Sequence, residues 1–148
     1  MIYGIQSNDF PIGKIFLSFL LLATWGSDIF AFLVGVKFGK HRFSKISPKK
    51  SVEGCIAGAV SGIALVVIAT VIFNTAFNLE IDYFKIALIA TVVTSLGQIG
   101  DFSASCIKRY CEVKDFSNLL PGHGGIIDRF DSVIFAAPFA YYLMMMVV

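Results

Sequence analysis

Charged residues are scarce in this chain, and cysteine and histidine are scarcer still. Only 15% of the 148 residues are Asp, Glu, Lys or Arg, whereas soluble domains carry about a quarter. The three cysteines lack the CxxC spacing of zinc and redox sites, and with two histidines no Ser-His-acid arrangement is evident. The net charge of +2 is too small to indicate nucleic-acid binding. We therefore expect neither a soluble domain, nor a thiolate metal centre, nor a nucleic-acid partner.

Apolar residues make up 57% of the chain and form long runs. Four of these runs have about 20 residues, the length of helix that crosses a bilayer. The alternation typical of barrel strands is absent, so helices are the expected structure. The sequence predicts an all-α, polytopic integral membrane protein with about four to five transmembrane helices, forming one unit over residues 1–148. The predicted helices cover 15–36, 54–77, 83 to beyond 99, and 126–148.

Lysine and arginine are concentrated in the segments that follow the first and third predicted helices. With four spans, both segments lie on the same side of the membrane, and the positive-inside rule makes that side the cytoplasm. We expect a protein of the inner or plasma membrane whose polar cavity faces the cytoplasm. The basic residues of the two segments are Lys37, Lys40, Arg42, Lys45, Lys49, Lys50, Lys108, Arg109 and Lys114.

Polar residues interrupt two of the predicted helices. Asp28 lies inside the first, where a carboxylate is costly and normally faces a wet cavity with a partner. Near the end of the third helix, a second group recurs every three or four residues, which places its members on one face. These residues are Gln98, Asp101, Ser105 and Lys108. They predict a protein-lined groove; the alternatives are a solvated or ion-paired Asp28 and a third helix that has left the membrane.

A glycine-rich turn, PGHGG at 121–125, precedes the fourth predicted helix. The free N–H groups and the positive dipole end of that helix favour an anion such as phosphate. Asp128 and Asp131 follow on one helical face. Mg²⁺ prefers a few carboxylates together with substrate phosphates. The turn and the carboxylates together predict a metal-phosphate site.

The segment before the second helix, SPKKSVEG, has a related pattern. Ser47 can cap a helix that begins at Pro48, with Glu53 in its early turns. Lys49 and Lys50 then lie at the positive end of the dipole, where cations are unfavourable unless an anion binds. Ordinary enrichment of lysine on the cytoplasmic side explains these two residues equally well.

Residues 105–131, SCIKRYCEVKDFSNLLPGHGGIIDRFD, resemble the signature of the phosphatidate cytidylyltransferases, or CDP-diacylglycerol synthases, without a departure. QIGD at 98–101 and SPKKS at 47–51 also match, as does Asp28. Val52 stands where bacterial members commonly have tryptophan. The resemblance covers nearly all of this chain, but only the C-terminal part of the family, whose members have further helices before it.

The resemblance implies that CTP and phosphatidate react to CDP-diacylglycerol and pyrophosphate, in phospholipid biosynthesis, with membrane lipid as a partner. It implies Mg²⁺ as cofactor, with K⁺ as a co-ion. It assigns Asp101 and Asp128 as metal ligands, and these two with Lys108 and Arg109 as catalytic residues. The other substrate-binding positions are Asp28, Ser47, Lys49, Lys50, Gln98, Ser105, Lys114, His123, Gly124, Gly125, Arg129 and Asp131.

Two other functions stay open at this point. One is a different CTP-dependent membrane lipid enzyme, such as a prenol kinase or an ether-lipid cytidylyltransferase. The other is a non-catalytic, truncated membrane partner. A homodimer is also compatible with the sequence. Gly54, Gly58 and Gly62 recur every four residues, which lets helix backbones approach closely, and packing within the chain uses such a stripe equally well.

Overall fold

The computed structural model describes residues 12–41, 50–78, 80–113, 116 and 127–145. These residues form four helices: α1 (Ile12–Phe38), α2 (Val52–Phe77), α3 (Tyr83–Tyr110) and α4 (Ile127–Met145). Within the described part of the chain, α1, α2 and α3 are long and apolar enough to cross a membrane, and α4 contains a shorter apolar stretch, Phe130–Met145. The predicted all-α membrane architecture is confirmed.

Helices α1 and α2 pack antiparallel along the glycine stripe of α2. Gly54, Gly58 and Gly62 are all buried. A Cβ atom added at Gly58 would lie 2.6 Å from the Ser27 carbonyl oxygen, and one at Gly62 would lie 2.9 Å from that of Ala23. The stripe therefore serves packing within the chain, which is one of the two uses predicted for it. A homodimer stays a prediction, but this stripe is covered by α1.

The turn between α2 and α3 is held by side chains at its two ends. The Asn74 amide donates to the Ile81 carbonyl at 3.0 Å, and its oxygen accepts from the Ile81 N–H at 3.2 Å. Asn78, the C-cap of α2, adopts the left-handed conformation that asparagine tolerates. Asp82 caps α3 by accepting from the Phe84 N–H at 2.9 Å. α3 therefore runs back antiparallel to α2.

The bundle divides into an apolar half and a polar half. The apolar half lies toward the α2–α3 turn and includes Phe19, Val66, Ile86, Val93, Ala140 and Met144. Toward the other end, the buried side chains include the hydroxyls of Ser27 and Ser132, each 1% exposed. Since small polar residues satisfy one another across helices in a membrane, this end can hold groups that lipid would exclude.

The start of α2 differs from the sequence prediction. Lys50 is not helical, and Ser51 is the N-cap, with its Oγ accepting from the Gly54 N–H at 3.1 Å. The prediction that α2 begins at Pro48, with Ser47 as its cap, is therefore wrong. Glu53 does lie in the first turn of α2. Ser47 and Pro48 themselves fall in 42–49, outside the described residues.

The physical reason for this later start is a set of contacts with the end of α1. The Val52 N–H donates to the His41 carbonyl at 3.1 Å. Glu53 accepts from the His41 N–H, and its Oε1 lies 2.6 Å from the His41 Nδ1. A Cβ at Gly35 would lie 3.1 Å from the Ser51 Oγ. These tertiary contacts fix Ser51 at the helix boundary, so Lys50 immediately precedes it.

Candidate functional site

Asp28 brings a carboxylate into the interior of the bundle. It lies ten residues before the end of α1, which is about 15 Å along the helix axis. The Ser132 hydroxyl of α4 donates to its Oδ2 at 2.9 Å. Asp28 therefore has a partner and faces protein, as predicted from its position in the apolar run. Its hydrogen-bond partner is a neutral hydroxyl rather than a cation.

The polar face of α3 lies where predicted and contacts two other helices. The Gln98 amide donates to the Ser27 Oγ of α1 at 3.0 Å and to the Cys55 carbonyl of α2 at 2.9 Å. One turn further on, Asp101 forms an ion pair with Lys50. The prediction of a protein-lined groove along this face is borne out for these residues.

A second ion pair joins the end of α3 to the first turns of α4. The Lys108 Nζ lies 2.8 Å from the Asp128 Oδ1 and 3.8 Å from the Asp131 Oδ2. The other oxygen of Asp128 accepts from the Phe116 N–H at 3.0 Å. The Lys108 ammonium also lies 5.2 Å from the centroid of the Phe116 ring, within the range of a cation–π interaction. Asp128 and Asp131 thus share a face, as their spacing predicts.

These groups line two neighbouring cavities that have Asp28 and Asp101 in common. The larger cavity, of about 520 Å³, lies between α1, α3 and α4, and its acidic residues face the exposed apolar side chains of Trp25, Ile29 and Phe130. Its lining consists of Trp25, Asp28, Ile29, Asp101, Asp128, Phe130 and Asp131. The smaller cavity, of about 230 Å³, lies between α1, α2 and α3. Its polar lining includes Asp28, Lys50, Ser51, Gln98, Asp101 and Ser105.

Of the remaining predicted residues, only Arg109 has a side chain among those that the structure describes. Arg109 is exposed in the last turn of α3 and lines neither of these cavities. α4 begins at Ile127, just after the predicted glycine turn, and Asp128 lies in its first turn. Outside the described residues lie Ser47, Lys49, Lys114, His123, Gly124, Gly125 and the side chain of Arg129.

The donors at this site suit a hard divalent cation that also binds phosphate. Among the described residues, no three His, Cys, Asp or Glu side chains form a group that could hold a metal ion. Mg²⁺ needs no such cage, because it commonly binds one or two carboxylates and completes its shell with substrate phosphates and water. Asp101 and Asp128 line one cavity and offer two carboxylates of this kind. The chemistry of the donor set therefore fits Mg²⁺.

Sequence reasoning missed several residues that shape the site. Ser132 follows Asp128 by four residues, so its place on the same helical face was readable from the spacing. Ser51 stands in the SPKKS match, but its role as cap depends on α1. The contacts of Ser27 and Phe116 join residues distant in sequence, and no local signal predicts them.

Sequence comparison finds related proteins over nearly the whole chain. A sequence model described as the cytidylyltransferase family matches residues 4–147. The chain is 41% identical over 133 residues to the phosphatidate cytidylyltransferase of Bacillus subtilis (strain 168), which covers 89% of the chain and 48% of that protein. It is 39% identical over 147 residues to the protein of that name from Aquifex aeolicus (strain VF5), with 97% and 52% covered.

A third relative, the phosphatidate cytidylyltransferase of Synechocystis sp. (strain ATCC 27184 / PCC 6803 / Kazusa), is 36% identical over 141 residues. That alignment covers 94% of the chain and 46% of the relative. The resemblance seen in residues 105–131 is thereby confirmed. The chain spans about half the length of the curated relatives it matches.

Proposed function

The chain belongs to the cytidylyltransferase family, and on this basis we propose that it transfers the cytidylyl group of CTP to phosphatidate. The products are CDP-diacylglycerol and pyrophosphate, and residues 1–148 act as one transmembrane catalytic domain. The observation that carries the proposal is the convergence of four carboxylates and two lysines at one end of the bundle. All four acidic residues, Asp28, Asp101, Asp128 and Asp131, line the larger cavity.

The reaction needs charge neutralisation and alignment more than a covalent catalyst. A phosphate oxygen of phosphatidate attacks the α-phosphorus of CTP, and the bond from that phosphorus to the bridging oxygen breaks as pyrophosphate leaves. Lys50 and Lys108 lie beside the acidic cavity, where their ammonium groups offset the charge that develops on the phosphates. Arg109, Lys49 and Arg129 are further candidate phosphate contacts, from the resemblance alone.

Asp101 and Asp128 would hold the Mg²⁺ that the family resemblance implies. When bound there, Mg²⁺ would supply Lewis-acid chemistry and neutralise negative charge on the substrate phosphates. The Ser132 hydroxyl donates to the Asp28 carboxylate, which lines both cavities. A potassium co-ion rests on the family resemblance only.

The apolar wall of the larger cavity supports a lipid as one of the two substrates. Trp25, Ile29 and Phe130 are 41%, 57% and 37% exposed, and they stand on the same cavity as the carboxylates. A phosphatidate molecule would lay its acyl chains along this wall, with its phosphate beside Lys108 and the Mg²⁺ that Asp101 and Asp128 would hold. The wall thus supports a lipid phosphate substrate over a water-soluble one.

The charge distribution supports a site that faces the cytoplasm. Lys37 lies in the last turn of α1, and Lys40 and Lys50 lie between α1 and α2. Lys108 and Arg109 lie in the last turn of α3. Because neighbouring helices are antiparallel, these residues lie at the same end of the bundle as the cavities. The positive-inside rule assigns this end to the cytoplasmic side of the cell membrane.

An assay with radiolabelled CTP tests the proposal. Membranes containing the chain are incubated with CTP and phosphatidate, with and without Mg²⁺, and lipid-soluble label is measured. Label in CDP-diacylglycerol that requires Mg²⁺ is the expected result. Label transferred only to an ether lipid, or phosphate transferred only to a prenol, would identify a different CTP-dependent lipid enzyme. Absence of any product would favour a non-catalytic partner.

A further inference from the structure

The acidic groups assigned to the metal already have cations beside them. Lys50 pairs with Asp101, and the Lys108 Nζ lies 2.8 Å from the Asp128 Oδ1. The two lysines come from different elements, one from the residue before the N-cap of α2 and the other from the last turn of α3. The same arrangement therefore occurs twice in one site.

Asp128 offers a divalent cation little free space while Lys108 is in place. Its Oδ1 contacts the lysine, and its Oδ2 accepts from the Phe116 N–H at 3.0 Å. A Mg²⁺ ion binds carboxylate oxygens at about 2.0–2.1 Å. Bound to the same oxygen, it would be within about 5 Å of the Lys108 ammonium, so the two cations would repel each other strongly in a partly buried site.

Both lysine side chains contact carboxylates, but they are partly exposed to solvent and have room to move. The Lys108 side chain is 13% exposed and the Lys50 side chain 24% exposed. Each has a flexible four-carbon stem, and the Lys108 ammonium lies 5.2 Å from the centroid of the Phe116 ring. A phosphate arriving in the cavity gives each ammonium an alternative anionic partner only a short distance away.

We propose that Lys50 and Lys108 exchange partners during substrate binding and thereby make metal binding depend on phosphate. Without phosphate, the lysines neutralise Asp101 and Asp128 and oppose a divalent cation. When a nucleoside triphosphate binds, the ammonium groups move to its phosphates and release the carboxylates for the metal. This inference rests on the proposed assignment of Asp101 and Asp128 to Mg²⁺ and concerns the order of binding.

The exchange has a thermodynamic consequence that can be measured. If phosphate raises the affinity for metal, metal must raise the affinity for phosphate by the same factor. Removing the lysine charge should remove the opposition to metal in the phosphate-free protein. A lysine too far from the carboxylates to act on the metal, and in contact with phosphate alone, predicts no such gain.

The experiment measures Mn²⁺ binding to the purified full chain in detergent by electron paramagnetic resonance of the free ion, without nucleotide. Lys108→Met keeps an unbranched side chain of similar length but removes its charge. This variant should bind Mn²⁺ about tenfold more tightly than the unchanged protein, within the usual range of coupling. Lys108→Arg retains the charge and should keep the weak affinity. Lys85→Met, in the exposed first turn of α3 far from the site, is the matched control and should change nothing.

Two further measurements keep the outcome interpretable. Adding Asp128→Asn to Lys108→Met should abolish the gain, which assigns it to this site. Circular dichroism of each variant verifies the fold, and Lys50→Met offers an independent replacement if Lys108→Met fails to fold. An unchanged or weakened Mn²⁺ affinity in folded Lys108→Met and Lys50→Met would overturn the exchange.

The test is separable from that of the proposed function. A gain in Mn²⁺ affinity without formation of CDP-diacylglycerol would support the exchange and reject the proposed reaction. Formation of CDP-diacylglycerol without the gain would leave the reaction standing and reject the exchange.

Discussion

Asp128 has three roles at the site. It forms an ion pair with Lys108, accepts from the Phe116 N–H, and lines the larger cavity. Its carboxylate side chain is only 9% exposed. A charge held this far from water persists only where other groups compensate it. Lys108 does so here, and in the proposed reaction Mg²⁺ would do so after the nucleotide binds.

Asp128→Asn tests the importance of that charge, because asparagine keeps the size of the side chain and removes the negative charge. We expect a loss of turnover of about a hundredfold or more, the scale of removing one group that stabilises the transition state, in the radiolabelled CTP assay. The amount of protein in the membrane should stay the same. Asp82→Asn at the opposite end of the bundle is the control, since asparagine also caps helices and activity should persist. Near-normal turnover of the Asp128 variant would contradict the metal assignment.

Gln98 joins three helices through one side-chain amide. It donates to the buried Ser27 hydroxyl on α1 and to the Cys55 carbonyl on α2, and it stands one turn before Asp101. Interhelical hydrogen bonds in membranes contribute about 0.6 kcal/mol each on average. The two hydrogen bonds of Gln98 therefore stabilise the lining of the smaller cavity modestly.

Gln98→Leu should lower the free energy of unfolding by about 1–2 kcal/mol, because it removes both bonds and leaves the Ser27 hydroxyl without this donor. Unfolding in mixed detergent micelles, followed by circular dichroism, measures the change. Ser95→Ala is the matched control on the same helix. Its hydroxyl is exposed and bonds the Thr91 carbonyl of its own helix, so we expect a change within about 0.5 kcal/mol. Equal stability of the two variants would show that the Gln98 bonds contribute nothing measurable.

At the level of helices, contact between α1 and α2 sets where Asp28 lies relative to Lys50. The contact is close because glycine occupies the facing positions of α2. At Gly58 a Cβ would lie 2.6 Å from the Ser27 carbonyl oxygen and 2.8 Å from the Ala31 Cβ. Neither atom belongs to a flexible chain end, so only movement of a helix could relieve the overlap.

Gly58→Ala should therefore destabilise the bundle by about 1–3 kcal/mol, the usual cost of overpacking, despite the better helix propensity of alanine. Gly13→Ala is the same chemical change in α1, at a position with no atom within 4 Å of the added Cβ. We expect that variant to be neutral or stabilised by up to about 1 kcal/mol. Detergent unfolding of both proteins measures the difference. If the two changes had equal effects, the close approach of α1 and α2 would be wrong.

The boundaries of the helices illustrate how far sequence reasoning reaches. Apolar runs predicted all four helices, because a helix that crosses lipid needs about 20 apolar residues irrespective of tertiary detail. Among the described residues, α4 has a shorter apolar stretch, Phe130–Met145. The start of α2 was misplaced because Ser47 and Ser51 are both acceptable caps. Choosing between them requires the contacts of Val52 and Glu53 with His41, which local sequence does not contain.

At the scale of the whole molecule, the sequence predicted which residues belong to the site but not which of them contact one another. Spacing on α3 and α4 predicted which faces carry Asp101, Lys108, Asp128 and Asp131, because helical periodicity fixes faces. Spacing could not predict that Ser132 contacts Asp28 across 104 positions, or which lysine pairs with which carboxylate. Those pairings depend on how the helices assemble, and the antiparallel glycine contacts of α1 and α2 are part of that assembly.

The orientation of the assembled bundle can be tested at the two ends of α3. This helix has 28 residues and is about 42 Å long, more than the roughly 30 Å of hydrocarbon. Cys111, exposed just after its end, and Glu80, exposed just before its start, should therefore lie on opposite sides of the membrane.

Labelling with a membrane-impermeant maleimide distinguishes the two sides. One variant keeps Cys111 alone through Cys55→Ser and Cys106→Ser; the other replaces all three cysteines by serine and carries Glu80→Cys. Because the basic ends of α1 and α3 favour the cytoplasm, Glu80→Cys should react in intact cells. Cys111 should react only after the membrane is opened. The reverse pattern would place the cavities, with their carboxylates and lysines, on the side away from cytoplasmic CTP, and would be incompatible with the proposed reaction.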